Sequence, residues 1–315
     1  MTSSATGGLL AVHAHPDDET LATGALLATW AAAGLPVTLV TCTRGECGEV
    51  LGEHGARLQG DGPALAAHRE AELAAASRAL GVVDHAFLDT LPDETGSPAP
   101  HRYEDSGMAW DTTGRVAVAG HSRSGAFTRV EPDEAAGRLA ALVVDRRPAL
   151  VVTYEPHGGY GHPDHVRAHE VTVRALELAA ERGVRPAFVW AAQSRAAATA
   201  ARRALVRLAT TDLFAPVDDG GFASVVVDDH EVDLEVDVSP VRERVLAALR
   251  AHATQVQGVL GLDDEPTLQG RYALSLGMLE PLLPQEQYRY APGSPRLTGA
   301  LLPVGLREVE HEVEG

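Results

Sequence analysis

The stretch that decides the fold is LLAVHAHPDDETLATGALLATW, residues 9–30. It begins as an apolar run typical of a buried strand and continues as a helical pattern from residue 20. Between the two stands the turn HAHPDDE, residues 13–19, with two histidines and three carboxylates. Folding alone does not require such a turn at the end of a buried strand, so we expect it to carry chemistry.

The first half of the chain alternates short apolar runs with longer amphipathic ones, which is typical of βαβ units. The strands have almost no polar residues, as expected when helices cover both faces of a parallel sheet. The predicted strands are residues 9–14, 37–43, 85–89 and 149–155, and the predicted helices are residues 20–34, 64–81 and 132–148. The pattern predicts an α/β fold with a Rossmann-like, mainly parallel sheet.

The pattern changes after the helix predicted over residues 164–183. An alternating acidic stretch, residues 222–238, predicts a hairpin that turns near Asp228–Glu231. We therefore predict two domains: a Rossmann-like catalytic domain over residues 1–175 and a smaller α+β domain over residues 176–315 that completes the substrate pocket.

Composition excludes several classes of function. The formal net charge of −18 argues against nucleic acid and anionic membrane surfaces as partners, because both require basic patches. The N-terminus lacks a basic segment before its short apolar strand, and no apolar run reaches the roughly 20 residues that span a bilayer. With two cysteines, expected to be reduced, the chain is predicted to be cytoplasmic, and a homo-oligomer is left open.

A second turn matches the first in position and chemistry. The segment GHPDH, residues 161–165, also follows a buried strand and precedes a helix. If the strand order is 3-2-1-4, the first and fourth strands are neighbours, and their carboxyl ends flank the crevice where open α/β sheets bind ligands. The two turns would then meet at one site.

The first turn offers the ligands of a catalytic metal site. His15 and Asp18 are three residues apart, so one helical turn can direct both side chains at a common point. A histidine from the second turn would complete a set of two imidazoles and one carboxylate, which leaves an open position for water. Asp17 could then act as a general base. The alternative is that both turns are merely solvated helix starts, which two such turns at matching strand ends make the weaker interpretation.

Four segments resemble a known family. They are VHAHPDDETLATGA (residues 12–25), VTCTRGECGEV (residues 40–50), EDSGMAW (residues 104–110) and VVTYEPHGGYGHPDHVRAH (residues 151–169). Together they resemble the LmbE/PIG-L family of metal-dependent N-deacetylases. They are most similar to the branch that removes acetate from N-acetylglucosaminyl-inositol in mycothiol biosynthesis.

The resemblance implies roles for individual residues. It implies one Zn²⁺ per chain, with Fe²⁺ as the alternative, held by His15, Asp18 and His165. Asp17 would be the general base and then the acid toward the leaving amine. His162 would stabilise the oxyanion, with Asp164 holding that turn in place, and Tyr160 would close over the substrate.

The same resemblance implies contacts with a small amino-sugar substrate. The residues at the matching positions are Arg69, Asp105, Glu49 and Met108. Read from the sequence alone, Arg69 is an exposed helix residue and Asp105 an ordinary loop acid.

Three functions remain open at this point. The first is deacetylation of N-acetylglucosaminyl-inositol. The second is another amide hydrolysis of the family, on a mycothiol S-conjugate or a different N-acetyl amino sugar. The third is a non-catalytic nucleotide-binding module, which is disfavoured because no G-x-G-x-x-G follows the first strand.

Overall fold

A computed structural model describes residues 7–52, 55–93, 95–110, 116–118, 124–208, 215–216, 222–297 and 302–309. Its strands are Leu9–His13 (β1), Val37–Thr41 (β2), Asp84–Phe87 (β3), Met108–Trp110 (β4), Val116–Val118 (β5), Leu150–Thr153 (β6), Ala187–Ser194 (β7), Ala215–Pro216 (β8), Val226–Val227 (β9), Leu234–Asp237 (β10), Gln257–Gly261 (β11), Gly270–Ala273 (β12), Met278–Leu282 (β13), Gln285–Tyr290 (β14) and Leu306–Glu308 (β15). Its helices are Asp18–Ala32 (α1), Gly55–Leu58 (α2), Gly62–Leu80 (α3), Pro132–Arg146 (α4), Gly158–Gly161 (α5), Pro163–Glu181 (α6), Arg195–Leu208 (α7) and Arg242–Ala251 (α8).

The central sheet runs in the order β15-β10-β14-β7-β6-β1-β2-β3, with β9 paired to β7. Strands β3, β2, β1, β6 and β7 are mutually parallel, whereas β14, β10 and β15 add antiparallel pairs. The predicted order of the first four strands is confirmed, since β6 is the fourth predicted strand and lies beside β1. A separate sheet of β11, β12, β13 and β8 lies among the C-terminal residues.

Helices cover both faces of the sheet, as the apolar strands predict. Along β1, Leu9 and Ala11 pack into one core cluster with α1, α3 and α8. Leu10 and Val12 pack into the opposite cluster with α4 and α6. Because alternate residues of a strand face opposite ways, burial on both sides requires the nearly all-apolar sequence of β1. The predicted α/β fold class is confirmed.

The helix ends follow local sequence signals. The Asp61 carboxylate accepts the N–H of Ala64 at the start of α3, and Gly81 ends that helix in the left-handed conformation at φ 88°. Pro132 stands at the first position of α4, where its missing N–H costs no hydrogen bond.

The predicted hairpin over residues 222–238 is wrong. Strand β9 pairs in parallel with β7, and β10 pairs with β14 and β15, so the two strands do not pair with each other. A short 3₁₀ turn, Asp229–Glu231, separates them, with Asp228 and Glu231 forming a capping box. Alternation indicated the strands correctly, but the pairing partner depends on distant segments.

The division at residue 175 stays a prediction. The strands that follow it, from β7 onward, extend the same central sheet: β7 pairs with β6, in the register Leu150↔Ala187. Of the loop over residues 90–131, residues 94, 111–115 and 119–123 lie outside the described part of the chain.

Strands β1 and β6 end side by side. This arrangement brings together the two turns that are rich in histidine and carboxylate residues, residues 13–19 and 161–165, which we call the acidic-histidine turns.

Candidate metal centre and active site

The first turn has a constrained backbone. Asp17 immediately precedes α1 with φ 103°, a conformation that residues other than glycine rarely adopt. Its amide N–H donates to the Glu19 carboxylate at 2.9 Å. The residue is buried, with 8% exposure, so its carboxylate lies inside the site and not in solvent. Such a conformation persists at a functional site only when the surrounding contacts hold it.

The structure brings His15, Asp18 and His165 together. Oδ2 of Asp18 lies 3.3 Å from Nδ1 of His15 and 3.4 Å from Nε2 of His165. All three residues are buried. The His165 Nδ1–H donates to the carbonyl oxygen of Gly158 at 3.1 Å, which leaves the Nε2 lone pair directed at Asp18. That Nε2 has no hydrogen-bond partner among the described residues.

This donor set fits a divalent metal ion. Two imidazole nitrogens and a carboxylate oxygen converge, and a buried nitrogen with an unused lone pair is a ready ligand. The nitrogens of His15, His162 and His165 also lie within 4.8 Å of one another. The predicted ligands are therefore adjacent, while their roles stay a prediction.

Two carboxylates lie beside Nε2 of His15, the ring nitrogen on the side away from Asp18. Nε2 of His15 lies 3.2 Å from Oδ2 of Asp164 and 3.7 Å from Oδ1 of Asp105. The same Asp164 oxygen accepts the N–H of Ser106 at 2.9 Å. Burial lowers the pKa of His15, but Asp105, Asp164 and Asp18 outweigh it and raise that pKa well above its usual value. A histidine that donates to a carboxylate on one side presents its other nitrogen to a metal. The Asp164 side chain thus contacts the first turn and Ser106, while its role in holding the second turn stays a prediction.

His162 differs from the other two histidines. It caps α6, and its Nδ1 accepts the N–H of Asp164 at 3.1 Å. Burial, with the nearby His15 and His165, lowers the pKa of His162 to about 2, so the ring is neutral and carries its proton on Nε2. A neutral Nε2–H is a hydrogen-bond donor, as an oxyanion requires.

Tyr160 lies at the exposed side of the cluster. The residue is 51% exposed, and its ring centroid is 5.1 Å from that of His165. The turn that carries it is held by Glu155, whose carboxylate accepts the N–H of Gly159 and the hydroxyl of Ser224, each at 2.7 Å. Tyr160 is therefore presented on an anchored loop.

Asp17 has the electrostatics of a group that can exchange protons near neutral pH. Burial raises its pKa to about 6, and the carboxylates of Asp18 and Glu19 add to the increase. Arg69 acts in the opposite direction, with its Nη2 at 3.3 Å from Oδ2 of Asp17.

The four predicted substrate contacts lie in different environments. Arg69 is buried, not exposed as its helix position suggested, and its guanidinium donates to the carbonyl oxygens of Gly45 (2.7 Å) and Pro16. The two carboxylate oxygens of Asp105 accept the N–H of Gly107 at 2.8 Å and that of Cys47 at 3.2 Å.

The other two substrate candidates lie nearer the surface. Glu49 is exposed. Met108 is 37% exposed. Substrate binding by all four stays a prediction.

Sequence reasoning missed three residues around the cluster. Tyr154 follows β6; its hydroxyl accepts the N–H of Ala14 at 2.8 Å, and its ring stacks on His165 at 4.1 Å. Glu19 and His252 form a buried pair at 2.7 Å. Glu19 belongs to the quoted turn and could have been included, whereas nothing in the sequence links His252 to a residue 233 positions away.

A known protein family matches the part of the chain that contains these residues. The family model described as PIG-L, GlcNAc-PI de-N-acetylase, matches residues 10–176, more than half of the chain. The chain belongs to the PIG-L family. Its matched region includes both acidic-histidine turns, so the resemblance expected from the sequence is confirmed.

Two named relatives are similar over nearly the whole chain. A 1D-myo-inositol 2-acetamido-2-deoxy-alpha-D-glucopyranoside deacetylase from Kineococcus radiotolerans is 48% identical over 294 residues, which cover 90% of this chain and 77% of the relative. The enzyme of the same name from Streptomyces avermitilis is 43% identical over 307 residues, covering 92% of this chain and 95% of the relative.

Solved structures support the fold. The N,N'-diacetylchitobiose deacetylase from Pyrococcus horikoshii matches with a TM-score of 0.51 at 17% identity, covering 92% of this chain and 85% of that one. A deacetylase of teicoplanin biosynthesis matches with a TM-score of 0.50 at 19% identity, covering 91% and 100%. Among the described residues, no helix is both long and apolar enough to cross a membrane.

Proposed function

We propose that this PIG-L family deacetylase hydrolyses the acetamide of N-acetylglucosaminyl-inositol to give glucosaminyl-inositol and acetate, with Zn²⁺ as its metal. The observation that carries the proposal is the buried cluster of His15, Asp18 and His165 with Asp17 beside it. The choice of substrate is supported by relatives at 43% and 48% identity that carry that activity in their names.

The metal would be held by Nδ1 of His15, the carboxylate of Asp18 and Nε2 of His165. Each nitrogen is left available because the opposite nitrogen of its ring is bonded, to Asp164 in one case and to the Gly158 carbonyl in the other. A divalent ion held by these residues would supply Lewis acidity to the acetamide carbonyl and would lower the pKa of the attacking water. Fe²⁺ accepts the same donors and is the alternative metal.

The protein's own groups handle the protons. Asp17 takes a proton from the attacking water and delivers it to the amine as the C–N bond breaks. The Nε2–H of His162 donates to the oxyanion that develops on the carbonyl oxygen. Tyr160, at the exposed side of the cluster, closes over the bound sugar. Asp17 thus serves both water addition and amine protonation, and His162 serves oxyanion stabilisation.

The rim of the cluster would bind the remainder of the substrate. We propose that Arg69, Asp105 and Glu49 contact the sugar and inositol hydroxyls and that Met108 lines the same pocket. Arg69 also neutralises Asp17, so its role includes holding the base as well as binding substrate. A cytoplasmic location and a homo-oligomer both stay predictions.

The test is release of free amine from three substrates: N-acetylglucosaminyl-inositol, a mycothiol S-conjugate and N-acetylglucosamine. Each is offered to the metal-stripped protein and to the same protein with Zn²⁺ or Fe²⁺ restored. We expect metal-dependent turnover that strongly favours N-acetylglucosaminyl-inositol. Preference for the conjugate would keep the chemistry and change the substrate, and no turnover by the metal-loaded protein on any of the three would refute the proposal.

A further inference from the structure

A C-terminal histidine reaches the predicted active-site turn. His252 directly follows α8, and its Nε2 lies 2.7 Å from Oε1 of Glu19. Both side chains are fully buried, at 0% exposure. Because a carboxylate can only accept hydrogen bonds, the Nε2–H of His252 donates to Glu19.

Glu19 passes this contact on to Asp17. Its second oxygen, Oε2, accepts the Asp17 N–H at 2.9 Å, while the hydroxyl of Thr20 donates to Oε1. The carboxylate is therefore fixed at both oxygens and cannot rotate without breaking a bond. Asp17 has φ 103°, a strained backbone conformation. The hydrogen bond from its N–H to Glu19 helps to hold the backbone in that conformation.

Asp17 is thus held at two places by different partners. Arg69 contacts its carboxylate through Nη2 at 3.3 Å, and Glu19 contacts its backbone. The contact with Arg69 affects the charge of the Asp17 carboxylate. The contact with Glu19 affects the position of the backbone from which that side chain extends. A general base works only within hydrogen-bonding reach of its proton, so the backbone contact bears on the rate of the chemical step.

We propose that His252 is a positioning residue for Asp17 and acts through Glu19. The inference rests on the proposed function, because it takes Asp17 as the general base of that reaction. Loss of the His252 donor leaves the Thr20 hydroxyl as the remaining described donor to Oε1 of Glu19, so the carboxylate is held less firmly, its contact with the Asp17 N–H weakens and the left-handed turn relaxes. The two histidine ligands keep their contacts with Asp164 and Gly158, and Asp18 still accepts the His15 N–H at 2.9 Å, so metal binding is preserved.

The neighbourhood supplies a matched control. Thr254 lies two residues further along the same segment, and its hydroxyl donates to the carboxylate of Glu72 on α3 at 2.7 Å. Thr254→Val removes a buried hydrogen bond from this segment without touching the Glu19 contact. It tests whether any weakening of the C-terminal segment is enough to slow the enzyme.

The experiment compares three variants, His252→Gln, His252→Asn and His252→Leu, in the zinc-loaded enzyme with the rest of the chain unchanged. Glutamine can present an N–H near the position of Nε2, whereas asparagine is one methylene too short and leucine has no donor. Measured quantities are kcat and KM for N-acetylglucosaminyl-inositol, zinc per chain, zinc affinity and melting temperature.

We expect the asparagine and leucine variants to lose roughly 10- to 100-fold in kcat, as misplacement of a catalytic group by about 1 Å does, with KM and zinc affinity unchanged. The glutamine variant should stay within about fivefold of the wild type by partial restoration of the donor. Thr254→Val should keep its kcat even where its melting temperature falls. If leucine prevents folding, the comparison of glutamine with asparagine carries the test alone.

Three results with the His252 variants would overturn the inference: kcat values of His252→Asn within about twofold of the wild type, equal losses in the glutamine and asparagine variants, or a loss of kcat that follows loss of zinc. An equal loss of kcat in Thr254→Val would do the same. A wild-type enzyme inactive on this substrate would instead refute the proposed function, and this inference with it.

Discussion

Replacement of Asp164 by asparagine isolates the effect of one buried charge on metal binding. Oδ2 of Asp164 accepts from both His15 and Ser106, while Oδ1 has no hydrogen-bond partner among the described residues. The amide oxygen of asparagine can take the place of Oδ2 and the amide nitrogen that of Oδ1. Both hydrogen bonds can therefore survive, and what is lost is the charge behind His15.

The magnitude follows from the strength of the two kinds of hydrogen bond. Hydrogen bonds to a charged group contribute about 1.5–3 kcal/mol and neutral ones about 1 kcal/mol. Asp164→Asn therefore removes roughly 1–2 kcal/mol of the free energy that holds the metal ligand His15 in place. Since about 1.4 kcal/mol corresponds to a tenfold change, we expect zinc affinity to weaken roughly 5- to 30-fold. Asp164→Ala, which removes both bonds, should weaken it further, toward about 100-fold.

The assay is competition for Zn²⁺ against a chelator of known affinity, at pH 8 and again at pH 6. The nearby carboxylates raise the pKa of His15, so protons compete with the metal for that ring more strongly at lower pH. Loss of the Asp164 charge weakens this competition. The difference in zinc affinity between Asp164→Asn and the wild type should therefore be smaller at pH 6 than at pH 8. An asparagine variant with wild-type zinc affinity at pH 8 would refute the positioning role of Asp164.

Three further predictions concern neighbouring residues. Asp17→Asn should lower kcat by about 10²- to 10⁴-fold while zinc per chain, measured by elemental analysis, stays at the wild-type value, whereas His15→Ala should lose both. Gly45→Ala should lower the free energy of unfolding by roughly 1–3 kcal/mol, measured by denaturant titration, because Gly45 has φ +65° and an added Cβ would lie 2.1 Å from Nη1 of Arg69. Burial lowers the pKa of His85, so its stabilising contribution is complete above the unfolded pKa of about 6.5 and is lost as pH falls; His85→Gln should therefore lose less unfolding free energy between pH 7.5 and 5.5 than the wild type does.

The parallel part of the sheet could be predicted because its information is local. Strands β1, β2 and β6 need apolar residues toward both helical layers, and the chain shows this directly in segments such as residues 9–14. The position of the two turns then followed from topology alone, since strands next to each other in a parallel sheet end at the same edge. The pairing of β10 could not be predicted, because its partners β14 and β15 lie about 50 and 70 residues further along the chain and alternation carries no information about partners.

The candidate site divides in the same way. The spacing of His15 and Asp18 is a property of one turn, and the sequence was sufficient to pair them. Arg69 looked like a surface residue because helix α3 is only weakly amphipathic, yet its guanidinium is buried against the first turn. Tyr154 and His252 contribute through contacts across the fold, which no local pattern encodes.

The C-terminal half of the chain supports the site through the core as well as through His252. Strand β7 pairs with β6, and α8 shares a core cluster with α1, whose first turn carries the proposed metal ligand Asp18. In addition, the carboxylate of Glu286 on β14 accepts the N–H groups of Ala25 and Leu26, just after the break in α1 at Thr23. That break separates the first turn of α1 from the rest of the helix, so a C-terminal strand caps the longer part of the helix where it restarts. These contacts hold the part of α1 that follows the break, so the helix whose first turn carries Asp18 is packed and capped by residues that follow position 175.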